Sequence, residues 1–111
     1  MYTKQDQLKR MVPLKEKEHK EPKYLSWLHY QMPKCFSCSS AYHPYITELH
    51  HVKLHSSDKK DDRYVIPLCG EKCHRNGELS PHGNPKLWRE VYPIDVQREY
   101  AEKLYEEYKN D

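Results

Sequence analysis

The chain has 111 residues, 32% of them charged, which is a length for one domain with little apolar material for a large core. A formal net charge of +2 is too small to indicate a polyanionic partner by itself, and no stretch approaches the roughly 20 apolar residues that span a bilayer, so no membrane association is expected. The charged start, interrupted by Pro13 and Pro22, is unlike a secretion signal, so thiols kept reduced in a cytoplasm are expected and a disulfide framework is not.

Residues 1–23 carry Lys4, Lys9, Arg10, Lys15, Lys17, Lys20 and Lys23 against four acidic groups, and read as a basic, flexible arm able to follow a phosphate backbone. Residues 24–111 read as the folded domain. Tyr24, Leu25, Trp27, Leu28 and Met32 recur near helical spacing, and Pro33 closes that short helix. A loop from Cys35 to Pro44 leads to Tyr45–Leu54, where apolar and polar residues alternate as in a half-buried strand, so His50 and His51 point to opposite faces. After a charged turn from Asp58 to Arg63, Tyr64-Val65-Ile66-Pro67-Leu68 supplies a second strand, antiparallel to the first, that delivers Cys69.

A short helix is expected from Cys73 to Gly77, after which Gly77, Pro81 and Gly83 interrupt regular structure. Asn84-Pro85 caps and starts a helix with Leu87, Trp88, Val91 and Tyr92 on one side, and Pro93 ends it. Asp95 can cap a last helix to about Asn110, whose stripe Val96, Tyr100, Leu104 and Tyr108 is core or docking surface. The order of elements predicts a small α+β fold: a two-stranded ribbon and short helix, flanked by further helices.

The cysteines fall in two close pairs, Cys35-x-x-Cys38 and Cys69-x-x-x-Cys73, flanking the ribbon. A close pair of thiolates on a tight turn supplies two zinc ligands with little chain ordering, so Cys35, Cys38, Cys69 and Cys73 form a closed structural zinc site. The three-residue gap in the second pair leaves His74 as an alternative to Cys73. Glu48, His50, His51, Asp62, His74 and His82 form a second constellation of ligands and bases. The zinc site ties the end of the ribbon to the start of the helix, so His50 and His74 can converge on one ion, while His51, on the other face, is free to act as a base.

Glu48-Leu49-His50-His51 followed by Leu68-Cys69 and Cys73-His74 resembles the HNH endonucleases, whose fold is the ββα-metal or His-Me finger. Tyr24-Leu25-x-Trp27-Leu28 ahead of Cys35, and Cys73-His74-Arg75-x-Gly77 with His82-Gly83 and Trp88-x-x-x-Tyr92, resemble the small phage and prophage members related to the Ref recombination-enhancing nucleases. The resemblance covers about Tyr24 to Tyr100. It implies a ββα-metal finger stapled by the zinc site, and metal-dependent hydrolysis of phosphodiester bonds in double-stranded or branched DNA. His51 is then the general base, a role that suits histidine as a residue type because its reference pKa of about 6.5 lies near neutral pH. His50 and His74 hold a catalytic divalent ion, Mg²⁺, Mn²⁺ or another, and Glu48 orients a ligand histidine. Asp62 stands where the family usually has asparagine, and either fixes the turn or approaches the metal. For a third ligand the family's usual place is Glu78, with His82 further along; His82 is favoured. His43 and His55 read as structural or phosphate-contacting.

A monomer would nick one strand; a homodimer, through the last helix, would cut both, and a protein partner could direct it. The resemblance places the protein in the cytoplasm of a bacterium or phage-infected host. Two other readings use the same residues: a zinc-binding module that only binds nucleic acid, and a degenerate HNH protein that has lost cleavage.

Overall fold

In the computed structural model, which describes residues 18–55 and 57–111, the centre of the molecule is the apolar run Val65-Ile66-Pro67-Leu68. All four side chains are fully buried. They belong to strand β2 (Val65–Cys69), which pairs antiparallel with β1 (Thr47–His51). Helix α1 (Pro22–Tyr30) precedes the pair; a π-helical turn (Gly70–Arg75), α2 (Pro85–Val91) and α3 (Ile94–Lys109) follow it. The described residues thus form a small α+β fold with a two-stranded antiparallel sheet.

The register explains how β1 separates its two histidines. Glu48 lies opposite Leu68 and His50 opposite Ile66, whereas Leu49 lies opposite Pro67 and His51 opposite Val65. Because neighbours on a strand face opposite ways, Glu48 and His50 share a side with Ile66 and Leu68, and Leu49 and His51 share the other with Val65. Each side has its own cluster. Ile66 and Leu68 pack with Cys35, Val52, Cys73, Trp88 and Ala101. Val65 packs with Tyr24 and Leu28 of α1, with Leu49, Leu104, Tyr105 and Tyr108 around them. The strand β2 is covered on both sides, which is why its sequence is continuously apolar and does not alternate.

The other elements follow their local signals with some shifts. The strand β1 is shorter than the alternation from Tyr45 to Leu54 suggests, because a turn ends only at Ile46: the Thr47 N–H donates to the His43 carbonyl and the His43 N–H to Thr47 Oγ1. Tyr45, Ile46 and Leu54 are exposed. Asn84 caps α2 through its side chain, accepting from the Leu87 N–H, and Pro85 occupies the first turn. Trp88 is buried on that helix, but Leu87 and Val91 are exposed.

On α3, Tyr100, Leu104 and Tyr108 pack inward as the four-residue stripe predicts, while Val96 is exposed. Gln97 and Ala101 are buried in its place, so the helix presents a face that the stripe alone describes one residue out of phase. Asp95 lies in the first turn of α3 and Pro93 takes the cap position. The helix expected from Cys73 to Gly77 is instead the π-helical turn that begins at Gly70 and ends at Arg75.

The boundary at residue 23 falls within ordered structure. His19 makes an isolated parallel bridge with Asp61, and Pro22 and Lys23 already belong to α1. The basic arm over residues 1–17 lies outside the described residues.

Candidate active site and metal centres

Two groups of side chains that could hold a metal ion meet at the π-helical turn, which contributes Cys73 to one and the adjacent His74 to the other. Cys35, Cys38, Cys69 and Cys73 offer sulfur atoms that all lie within 4.8 Å of one another. The first pair is shaped by backbone bonds: Cys35 N–H donates to the Ser40 carbonyl, Ser39 N–H to the Cys35 carbonyl, and Cys38 N–H points at Cys35 Sγ at 3.5 Å. The second pair is delivered by the end of β2 and the turn after it. Cys38 Sγ lies 3.6 Å from Cys69 Sγ. Tetrahedral zinc with Zn–S bonds of about 2.3 Å sets its sulfurs roughly 3.8 Å apart, so the donor set and its spacing fit that ion.

The thiols differ in proton affinity. A hydrogen bond with the Ser40 hydroxyl, at 3.0 Å, is the main cause that holds Cys38 down to about 6. Burial pushes Cys69 up to about 11 and raises Cys73 as well.

The second group consists of His50, His74 and His82, again with ligand atoms within 4.8 Å of one another. Their ring centroids are 4.7–5.5 Å apart. His50 Nδ1 lies 3.2 Å from His74 Nε2. Two imidazoles on one ion at metal–nitrogen bonds of about 2.0–2.1 Å put their nitrogens roughly 3.0–3.4 Å apart. Burial, reinforced by the neighbouring His74 and His82, pushes His50 down to about 3, and burial lowers His82 too. These two rings are therefore neutral at physiological pH and have lone pairs to give.

His82 reaches this group although Gly77 and Pro81 break the helix before it. Its N–H donates to the His74 carbonyl at 3.1 Å, fixing the two residues side by side. The loop between them folds tightly: a Cβ at Gly77 would collide with the Lys72 carbonyl oxygen, so glycine is required there. Buried Ser80 donates to the Gly77 carbonyl and accepts from the Gly83 N–H, which fastens the loop. Glu78, the other candidate for a third ligand, is exposed and does not join the group. His74 belongs with the histidines and not with the cysteines, so Cys73 is the fourth thiol.

Glu48, on the same side of β1 as His50, accepts from His74 Nδ1 at 2.8 Å and from the Arg75 guanidinium. Those bonds, that from His74 above all, hold its carboxyl below the usual range. On the opposite side of the strand, His51 Nε2 is 2.8 Å from Asp62 Oδ1. Asp62 Oδ2 accepts from the Glu21 N–H at 2.8 Å. Asp62 thus contacts a histidine outside the three-histidine group instead of the group itself.

All four histidines line one cleft of about 480 Å³, together with the cations Lys53, Lys60 and Arg89. The sequence patterns give these cations and Glu21 no part in the site, and Arg75 stands in a motif there without a role. Arg75 directly follows His74 in the chain, but the contribution of Glu21 is a backbone N–H that no residue type encodes. His43 and His55 serve turns, through Thr47 and Asp58, and His29 bonds the Tyr42 hydroxyl. No helix among the described residues is long and apolar enough to cross a membrane. Neither a protein-family model, nor a curated protein, nor a solved structure matches the chain.

Proposed function

We propose that the chain is a metal-dependent endonuclease of the HNH type, built on a ββα-metal finger whose two strands and following turn are stapled by zinc at Cys35, Cys38, Cys69 and Cys73. The observation that carries this reading is the division of labour on β1: His50 joins His74 and His82 on one side, His51 pairs with Asp62 on the other, and both sides open into one cleft.

A phosphodiester in that cleft meets two kinds of group. His50, His74 and His82 form the pocket for a divalent ion, which when bound offsets charge on the phosphate and the leaving oxygen. His51 takes a proton from the attacking water. Lys53, Lys60 and Arg89 attract the polyanion, and double-stranded or branched DNA is the substrate class that the family resemblance favours. Glu48 orients His74, as a carboxylate behind a ligand histidine does in metal sites generally.

Purified, zinc-loaded protein incubated with supercoiled plasmid should nick it with Mg²⁺ or Mn²⁺. The His51→Ala variant should lose about 100-fold or more of the rate while keeping its zinc and its DNA affinity. Absence of nicking with any divalent ion, alongside retained DNA binding, would refute catalysis and leave a zinc-stapled binding module.

A further inference from the structure

The chain holds His51 and Asp62 together with a separate piece of backbone. Residues His19 to Glu21 run beside the turn at Asp61 and Asp62. The His19 N–H donates to the Lys60 carbonyl at 3.1 Å, and the His19 carbonyl accepts from the Asp62 N–H at 2.9 Å. The Glu21 N–H completes the set by donating to Asp62 Oδ2. Glu21 is itself tethered, its Oε2 lying 2.7 Å from His19 Nε2 and 2.9 Å from the Tyr105 hydroxyl on α3. Asp62 therefore presents only Oδ1 to His51, from a side chain that is 12% exposed.

A carboxylate accepts hydrogen bonds and cannot donate them, so His51 carries its proton on Nε2 and leaves the lone pair on Nδ1. We propose that Asp62 is the positioning residue of His51, that it selects Nδ1 as the atom that accepts the proton of the attacking water, and that His19–Glu21 is the strap that keeps Asp62 in place. The role of His51 as base rests on the nuclease reading above; the pairing with Asp62 rests on geometry alone. In the step itself, a water O–H bond breaks and its proton moves to Nδ1 while the water oxygen bonds to phosphorus. The bond from phosphorus to the 3′ oxygen breaks with its electron pair, and that oxygen takes a proton from solvent. The imidazolium left on His51 faces the Asp62 carboxylate, which stabilises it.

Aspartate is the residue this arrangement requires. In Asp62→Asn, an amide oxygen turned to His51 Nε2–H would set the amide nitrogen against the Glu21 N–H, donor to donor, whereas the flipped amide would donate to His51 Nε2, moving the ring proton to Nδ1 and removing the lone pair that accepts the proton of water. The experiment combines NMR of the ¹⁵N-histidine-labelled full chain with plasmid-nicking kinetics, on wild type and Asp62→Asn. Wild type should show His51 as the Nε2–H tautomer with a hydrogen-bonded, downfield Nε2–H proton. In Asp62→Asn that signal should vanish and kcat fall about 100-fold at unchanged KM and unchanged affinity for Mn²⁺. A wild-type His51 protonated on Nδ1 overturns the proposal whatever the variant does, and so does wild-type kcat in Asp62→Asn. A wild-type protein that shows the downfield proton yet fails to nick, whichever divalent ion is added, overturns the base role through the nuclease reading, with the pairing itself intact.

Discussion

Glu48 Oε1 accepts a hydrogen bond from His74 Nδ1 at 2.8 Å, and this determines which nitrogen of His74 faces His50. With Nδ1 acting as donor, Nε2 keeps its lone pair, and Nε2 is the atom 3.2 Å from His50 Nδ1. The Arg75 guanidinium holds the same carboxylate from outside. Removing it in Glu48→Ala frees the His74 ring and its tautomer. Affinity for a divalent ion at the three histidines should then fall roughly 10- to 100-fold. Calorimetric titration of the zinc-loaded protein with Mn²⁺ reads this directly, and unchanged affinity would show that Glu48 serves only Arg75.

The two candidates for a third ligand make opposite predictions. His82 is locked to His74 by a backbone hydrogen bond and shares its cluster, whereas Glu78 is exposed. His82→Ala should weaken the same Mn²⁺ titration strongly, and Glu78→Ala should leave it at the wild-type value. If Glu78→Ala proves the damaging change, the ion is held on the other side of the loop and the three-histidine site is wrong.

These two residues also mark where sequence stops informing. The cysteine pairs, the adjacent strand histidines and the Asn84-Pro85 helix start depend on spacings of a few residues, and local geometry translates such spacings reliably. His82 depends on how a loop folds back: Gly77 against the Lys72 carbonyl and Ser80 bridging to Gly83 decide it, and neither is visible as periodicity. Asp62 meets the Glu21 N–H across 41 positions of chain. No pattern in residue types encodes a contact made by a backbone group so far away. The exposure of Val96, Leu87 and Val91 has a related cause, since each helix turns one face to the strands and a stripe of apolar residues specifies that face only to within a residue.

Tyr24 is a test of the core that is independent of the metal sites. Its ring is fully buried and packs edge-on against Tyr105 with centroids 5.0 Å apart, beside Trp27 and Tyr108. Its hydroxyl has no hydrogen-bond partner among the described residues, and burial raises its proton affinity above the ordinary value. An unpartnered buried hydroxyl costs about 1–3 kcal/mol. Tyr24→Phe keeps the ring contacts and removes that group, so thermal melting should show equal or higher stability. A clear drop would mean that the hydroxyl has a partner.

The four-cysteine site makes the strongest claim about stability. It joins the loop at Cys35 and Cys38 to the end of β2 and the turn at Cys73, segments that bring Phe36 against Trp88, Tyr92 and Tyr100. Zinc bound to such a site contributes about 10–16 kcal/mol of folding free energy in small zinc-finger peptides, comparable with the whole stability of a domain. Chelation of the metal, or Cys73→Ala, should therefore abolish cooperative melting and not merely lower its midpoint. The direction of the pH dependence follows from the thiols: burial keeps Cys69 and Cys73 protonated at neutral pH, so zinc must displace their protons and bind more tightly as pH rises. Calorimetry in buffers of different ionisation enthalpy measures the protons released on loading. Release of none, or cooperative melting that survives chelation, would show that the four sulfurs pack as thiols and that the two strands stand without the metal.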